Sequence, residues 1–178
     1  MRTKLKAIFF FFLMVTLIFS FKVADSYADA SLDGIKSLQG VKGMTVDIED
    51  FKPELFKLGL TKTQIQTDVK LKLRLAGIKV LTHDEVIKEP GRPGLDIKIS
   101  SWTNKESIVF NITLELTQEV KLKRNAKFEL LAPTWSAGVI GYSPNNELVR
   151  TIRNLLKEGV DYFLNDYFSV NPKKDKTF

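Results

Sequence analysis

The chain has 178 residues, a net charge of +6, a single histidine and no cysteine. Without cysteine there are no disulfide bonds, thiol nucleophiles, iron–sulfur clusters or cysteine-ligated zinc sites. The modest positive charge is typical of a soluble protein, and we expect no nucleic-acid partner.

The first 30 residues have the pattern of a bacterial secretory signal peptide. Three basic residues lie within the first six positions, and an uncharged apolar run follows over residues 7–21. Ala28 and Ala30 then supply small residues at the −3 and −1 positions of a cleavage site. We therefore predict cleavage near Ala30 and a periplasmic or secreted location. The alternative is anchoring to the inner membrane by residues 7–21, although this run is shorter than the about 20 residues that usually span a bilayer.

From Ser31 onward the chain has the size of one ordinary domain. This part keeps 148 residues, of which 23 are basic and 19 acidic, giving a net charge of +4. A chain of this length can bury a sufficient core without disulfide bonds. We predict a single α/β domain over residues 31–172, followed by a polar C-terminal tail over residues 173–178.

The domain opens with a strand, a helix and a second strand. Residues 44–49 alternate between apolar and polar side chains, as in a half-buried strand. A helix is predicted over residues 62–76, because Thr61 can cap its start and Gly77 can end it. A short apolar strand follows over residues 78–81, which gives a βαβ unit with parallel strands. The apolar positions of the helix are Ile65, Val69, Leu73 and Ala76, widened by Leu71 and Leu75.

Three further strands are predicted over residues 95–141. The middle strand keeps a period of two over about 15 residues, with only Gln118 interrupting its apolar face, so one face of an antiparallel sheet is dry and the other wet. A turn near residues 104–106 precedes it, and a hairpin turn at residues 124–126 follows, with Asn125 able to adopt a positive φ. Pro133 then indicates an edge strand or a bulge.

A long amphipathic helix closes the domain over about residues 144–168, with Ser143 as its N-cap and Pro144 as its first residue. The predicted order is therefore β-α-β-β-β-β-α. Because one face of the sheet is polar, both helices should cover the other face. The sequence predicts an α+β fold, namely a two-layer α/β sandwich with a mixed sheet and both helices on one face.

This order of elements resembles the amino-terminal domain of TolB and the related periplasmic domains of the CsgG and LpoB type. The βαβ opening (Met44–Leu81), the antiparallel strands (Leu95–Val139) and the closing helix (Asn145–Phe168) carry the resemblance. It implies a role in envelope assembly or in contact with other envelope proteins. CsgG-type proteins are lipoproteins, and this chain lacks the cysteine that acylation requires.

No motif in the chain predicts catalysis, a metal site or a bound cofactor. There is no G-x-S-x-G elbow, P-loop or dinucleotide-binding glycine motif. His83 is expected to be an exposed residue of a short helix rather than a base or metal ligand. Asp47 and Glu49 share one strand face, and we interpret them as its solvated side rather than as paired carboxylates.

An interaction surface is predicted from aromatic and basic residues. Trp102 is out of phase with the apolar residues of its strand, and an exposed tryptophan can anchor a partner or a sugar ring. Basic residues near the hairpin turn indicate a solvated tip or contact with an anionic lipid headgroup or polysaccharide. The surface consists of Trp102, Trp135, Lys121, Lys123 and Arg124.

Three classes of function follow. The leading hypothesis is a non-enzymatic periplasmic interaction or envelope-assembly domain, which binds another envelope protein through its polar sheet face or a strand edge. Peripheral membrane contact is a further expectation. The alternatives are a small-ligand or glycan-binding protein, and a hydrolase with an acidic site at Asp47, Glu49 or His83.

Overall fold

The computed structural model describes Ala28 and residues 30–103 and 107–172. The predicted turn at 104–106, the tail at 173–178 and most of the predicted signal peptide lie outside these residues. No helix within the described part is long and apolar enough to cross a membrane. The elements are α1 (Leu32–Ser37), β1 (Gly43–Ile48), α2 (Pro53–Lys57), α3 (Lys62–Ala76), β2 (Lys79–Val80), α4 (His83–Val86), β3 (Gly94–Thr103), β4 (Ser107–Leu122), β5 (Asn125–Pro144) and α5 (Leu148–Val170).

The five strands form one mixed sheet in the order β2-β1-β3-β4-β5. Strand β1 pairs in parallel with both β2 and β3, whereas β3 with β4 and β4 with β5 are antiparallel pairs. This confirms the predicted α+β fold with a mixed sheet. The short helix expected around His83 is α4, and the short helices α1 and α2 are additional. Strands β2 and β5 are the two edges of the sheet.

The βαβ opening is confirmed, and its helix boundaries follow from the predicted caps. The Thr61 hydroxyl accepts a hydrogen bond from the Gln64 backbone N–H at the start of α3. At the other end Gly77 has a φ of 89°, a left-handed conformation that glycine adopts without steric cost. The predicted widening of the buried stripe by Leu71 and Leu75 is wrong, because both side chains are exposed and α3 packs through its narrower stripe.

Helices α3 and α5 cover one face of the sheet, which we call the inner face. The apolar side chains of β4 are buried there, Ile112 and Leu116 among them, whereas Thr113 and Glu115 on the opposite, outer face are only partly buried. This is the predicted division into a dry and a wet face. The interrupting Gln118 keeps its amide on the inner side, where its Nε2 donates to Thr134 Oγ1 at 2.7 Å and to Ser37 O at 3.1 Å.

The predicted start of the closing helix is wrong by four residues. Strand β5 stays paired with β4 as far as Pro144, which lies opposite Ser107, and α5 begins only at Leu148. Ser143 is buried, and its hydroxyl contacts Pro144 O and Thr151 Oγ1 instead of capping a helix. The Ser-Pro pair is a local signal for a helix start, but here the hydrogen bonds between β5 and β4 continue, because they satisfy more backbone groups of this segment than a helix start would.

Two irregularities shape the β4–β5 hairpin. The register shifts between Leu116 and Thr117, which pair with Trp135 and Pro133, so Thr134 is an extra residue and the predicted irregularity at Pro133 is a bulge on an edge strand. The predicted hairpin turn is one residue too late. Lys123 and Arg124 form the turn, and Asn125 is already a strand residue without a positive φ.

Candidate functional site

Strand β5 leaves one side of its backbone open at the edge of the sheet. One edge of the strand pairs with β4. On its free edge the structure describes a single hydrogen-bonded partner, Ala28, whose N–H donates to Gly138 O at 2.9 Å in an antiparallel bridge. Backbone groups alternate sides along a strand. The N–H and C=O groups that point away from β4 therefore belong to Ser136, Gly138, Ile140 and Tyr142. We call this segment between Pro133 and Pro144 the β5 edge.

The β5 edge has little of the protection that edge strands usually carry. Edges are commonly blunted by lysines, prolines, bulges or inward-pointing charges. Here no charged residue occurs between Leu130 and Asn146, and the proline and bulge devices are confined to the ends of the segment. The middle of the β5 edge is thus an uncharged template for an additional strand.

Exposed apolar side chains lie on the outer face beside this edge. Trp102 pairs with Val109, which in turn pairs with Tyr142, so the three form one row across β3, β4 and β5. Trp102 is 60% exposed, and Ile140, two residues from Tyr142, is 72% exposed. We call these four residues the outer apolar patch. Exposed clusters of this type mark interaction sites more often than isolated exposed residues do.

Trp135 does not belong to the interaction surface, which corrects the sequence prediction. It is 1% exposed and lies on the inner face, where its ring meets Phe163 edge-on at 5.0 Å between centroids. Its indole Nε1 donates to Asp166 Oδ2 at 2.8 Å. Trp135 therefore joins β5 to α5. The alternation of β5 around it placed Ile140 and Tyr142 on the outer face, a signal that sequence reasoning left unused.

The basic residues of the predicted surface lie at the end of the β4–β5 hairpin. Lys123 and Arg124 are the exposed turn residues. Lys121 is exposed as well and pairs with Glu129, whose hydrogen bond raises the pKa of the lysine. They are separated along the hairpin from the outer apolar patch, because Val109 lies near the opposite end of β4. The predicted surface is therefore two separate regions.

A cavity of about 270 Å³ opens on the outer face at the start of β3. Its polar lining brings Asp47 and His83 together, two residues that the sequence offered for an acidic hydrolase site. The third, Glu49, pairs with Lys98 at 3.2 Å and is absent from the lining. The small-ligand hypothesis has its best location here. The full lining is Thr45, Asp47, His83, Val86, Ile87, Arg92, Gly94, Asp96, Thr117 and Leu131.

The position of His83 depends on a tightly capped short helix. The Thr82 hydroxyl accepts from the Glu85 N–H, and Glu85 Oε2 accepts from the Thr82 N–H at 2.8 Å, so the two residues form a capping box. The backbone hydrogen bond from Thr82 is the main cause that lowers the pKa of Glu85 to about 2, followed by the ion pair with Lys79. Helix α4 is thereby fixed as one wall of the cavity.

Asp96 is the cavity residue with the most altered environment. Its half-buried carboxyl accepts a hydrogen bond from Thr117 Oγ1 at 2.6 Å. Burial raises the pKa of Asp96, the Thr117 hydrogen bond opposes the rise, and the neighbouring Asp47 adds to it. Sequence reasoning missed this residue, because Asp96 occupies an ordinary polar position of an alternating strand. Among the described residues, no group of three or more His, Asp or Glu side chains could hold a metal ion.

The raised pKa of Asp96 predicts a pH dependence of stability. A carboxyl with a native pKa above its unfolded value stabilises the protein below the unfolded pKa, and this contribution is lost as the pH rises through the native pKa. Asp96→Asn removes this titration. The stability of the variant relative to the parent should therefore increase with pH across the interval from the unfolded to the native pKa of Asp96. Urea unfolding at a series of pH values measures the difference. Thr117→Val should move the interval upward, and a difference that is flat or falls with pH would contradict the assignment.

Comparison with known proteins gives little further information. No protein-family model matches the chain, and no curated protein matches it. Among solved structures the chain is similar to a variant of PelC from Paraburkholderia phytofirmans, solved as a dodecamer, with 15% identity and a TM-score of 0.43. The match covers 78% of this chain and 96% of that chain.

Proposed function

We propose that this protein is an exported, non-enzymatic interaction domain of the bacterial envelope, which binds an extended segment of another envelope protein at the β5 edge. The observation that carries the proposal is the antiparallel bridge from Ala28 to Gly138. At Gly138 the edge already accepts a backbone hydrogen bond from its own chain, on the side where an added strand would lie. Strand addition of this kind derives its affinity from main-chain hydrogen bonds.

Composition and accessibility of the β5 edge support this mode of binding. The absence of charge between Leu130 and Asn146 means that an approaching strand desolvates no charged side chain. Tyr142 and Ile140 project from the same strand onto the outer face, where the partner's side chains would meet them and Trp102. The backbone therefore supplies affinity, and the outer apolar patch supplies selectivity.

Cleavage of the expected signal peptide would free the β5 edge for a partner. Cleavage after Ala30 would remove Ala28 and with it the donor that contacts Gly138 O. The core cluster lies between Leu38 and Tyr167, so a chain that begins at Ser31 retains all of it. The mature domain would then present the β5 edge from Ser136 to Tyr142 to a partner, whereas α1 stays close to Thr134 through Gly34.

Ile140→Lys is expected to abolish partner binding while leaving the fold intact. The side chain is largely exposed, and the backbone of Ile140 faces outward, so the new charge blocks an added strand without disturbing the ladder to β4. The measurement is crosslinking in envelope extracts, with captured proteins identified by mass spectrometry. Leu75→Lys is the matched control, because Leu75 is 79% exposed on α3, away from the edge.

The outcome separates strand addition from other modes of contact. Partners that are captured by the parent protein and by Leu75→Lys, but lost with Ile140→Lys, support the proposal. Equal capture by all three proteins would show that the β5 edge is not the binding site. Thermal unfolding of the two variants should match the parent, since exposed substitutions usually change stability by less than about 0.5 kcal/mol.

A further inference from the structure

The β4–β5 hairpin extends beyond the rest of the sheet. Strand β3 pairs with β4 only as far as the Gly94–Thr117 pair, and residues 118–132 continue as a two-stranded arm. The base of the arm is held by Glu119, whose N–H donates to Gly91 O at 2.7 Å and whose carboxylate pairs with Arg92 at 2.9 Å. From Thr117 to Leu122 the strand advances by five residue steps, so the arm projects about 17 Å at the usual rise of a strand.

The tip of the arm is strongly basic. Residues 121–128 contain four basic side chains and no acidic one. Glu129 pairs with Lys121, and the described structure shows no ion pair for the other three. The four basic residues are Lys121, Lys123, Arg124 and Lys127.

Uncovered apolar side chains lie directly behind this basic tip. Val120 pairs with Leu130, and both continue the inner-face stripe of β4 and β5 past the region where the core is closed. Phe128, two residues from Leu130, lies at the register shift between Lys121 and Leu122 and is 56% exposed. Leu131 on the other face of the arm is exposed as well. An aqueous hairpin gains nothing from exposing a phenylalanine and two leucines.

Basic and apolar groups in this arrangement suit the surface of an anionic bilayer. Lysine and arginine are attracted to anionic headgroups, while neighbouring aromatic and aliphatic side chains enter the boundary with the acyl chains. The two contributions reinforce each other only where both kinds of residue meet the same surface, as they do at the end of a projecting hairpin. We infer that the arm is a peripheral membrane-contact site for a bilayer that contains anionic lipids.

Vesicle flotation of the chain beginning at Ser31 tests the inference, because this version lacks the apolar run at 7–21 and keeps the whole core. Binding is expected to phosphatidylcholine vesicles that contain about one third phosphatidylglycerol, and not to phosphatidylcholine alone. Raising the salt to about 0.5 M should weaken binding, because screening shortens the reach of the charges.

Two arm variants and one control separate the contribution of the basic residues from that of the apolar residues. Lys123→Glu with Arg124→Glu should weaken vesicle binding at least about 25-fold, at about fivefold for each basic residue lost. Phe128→Ser with Leu130→Ser should weaken it by about tenfold and leave the salt dependence in place. Lys52→Glu with Lys57→Glu makes the same charge change around α2. This helix follows the end of β1 that is farther from the arm, so the double variant should leave vesicle binding unchanged.

Three results would overturn the inference. They are equal binding to both kinds of vesicle, no binding to either, and an equal loss in the Lys52 and Lys57 control. A protein ligand for the arm would reveal itself differently, since the arm variants would then lose crosslinked partners and keep vesicle binding. The test is independent of the β5 edge, because none of these substitutions lies between Pro133 and Pro144.

Discussion

Trp135→Ala is expected to lower the free energy of unfolding by about 3–5 kcal/mol, the usual cost of truncating a large buried aromatic residue. The indole is almost fully buried and packs edge-on against Phe163. The substitution also removes the donor to Asp166 Oδ2 and leaves that carboxylate facing the new cavity. Urea unfolding followed by circular dichroism measures the loss.

Trp102→Ala is the matched control for this prediction. The side chain is mostly exposed, so its removal should change stability by less than about 0.5 kcal/mol. The chain has two tryptophans, so each variant leaves one as its own fluorescence reporter. Trp135 alone should emit as a buried indole, and Trp102 alone as a hydrated one. Similar losses of stability in the two variants would contradict the assignment of the inner and outer faces.

Gly141→Ala is expected to destabilise the protein by about 1–3 kcal/mol, the range for overpacking a closed core. A β-carbon at this position would lie 2.6 Å from Cε2 of Phe110 and 3.3 Å from Cδ1 of Leu155. The Phe110 ring is fully buried, so it cannot move aside into solvent. Thermal and urea unfolding of the variant give the magnitude.

Gly138→Ala distinguishes this clash from a general effect of alanine in β5. A β-carbon there makes only ordinary contacts, the nearest being Ile112 O at 3.4 Å, so no loss of stability is expected. Phe110→Leu supplies the second check, because a smaller side chain leaves room for the added methyl group. The cost of Gly141→Ala should therefore fall in the Phe110→Leu background, and strict additivity would show that the ring is not the obstacle.

The fold was largely predictable because its signals are local and repeated. The alternation along β4 requires one dry face and one wet face, and it holds over enough residues to exclude coincidence. Caps at Thr61, Gly77 and Thr82 act over three or four residues, so they too can be read from the sequence. The start of the last helix was predicted wrongly because a long-range ladder opposes a local signal there: Ser143 remains in β5 although its sequence resembles a helix start.

The candidate sites were only partly predictable. Exposure of Trp102 followed from its phase in β3, and the basic turn followed from composition. The cavity did not, because its polar residues come from three strands, a short helix and a loop that are distant along the chain. Asp96 acquires its raised pKa only from burial beside Thr117 and Asp47, neither of which is its neighbour in sequence.

By itself the sequence determined the alternation of the strands, the two ends of α3, the start of α4 and the division into an inner and an outer face, because periodicity and capping depend on residues a few positions apart. Tertiary structure decided how far β5 extends and which strand forms the uncharged edge. These depend on the order and register of strands in the sheet. They are fixed by hydrogen bonds and packing between segments whose separation in sequence carries no local signal.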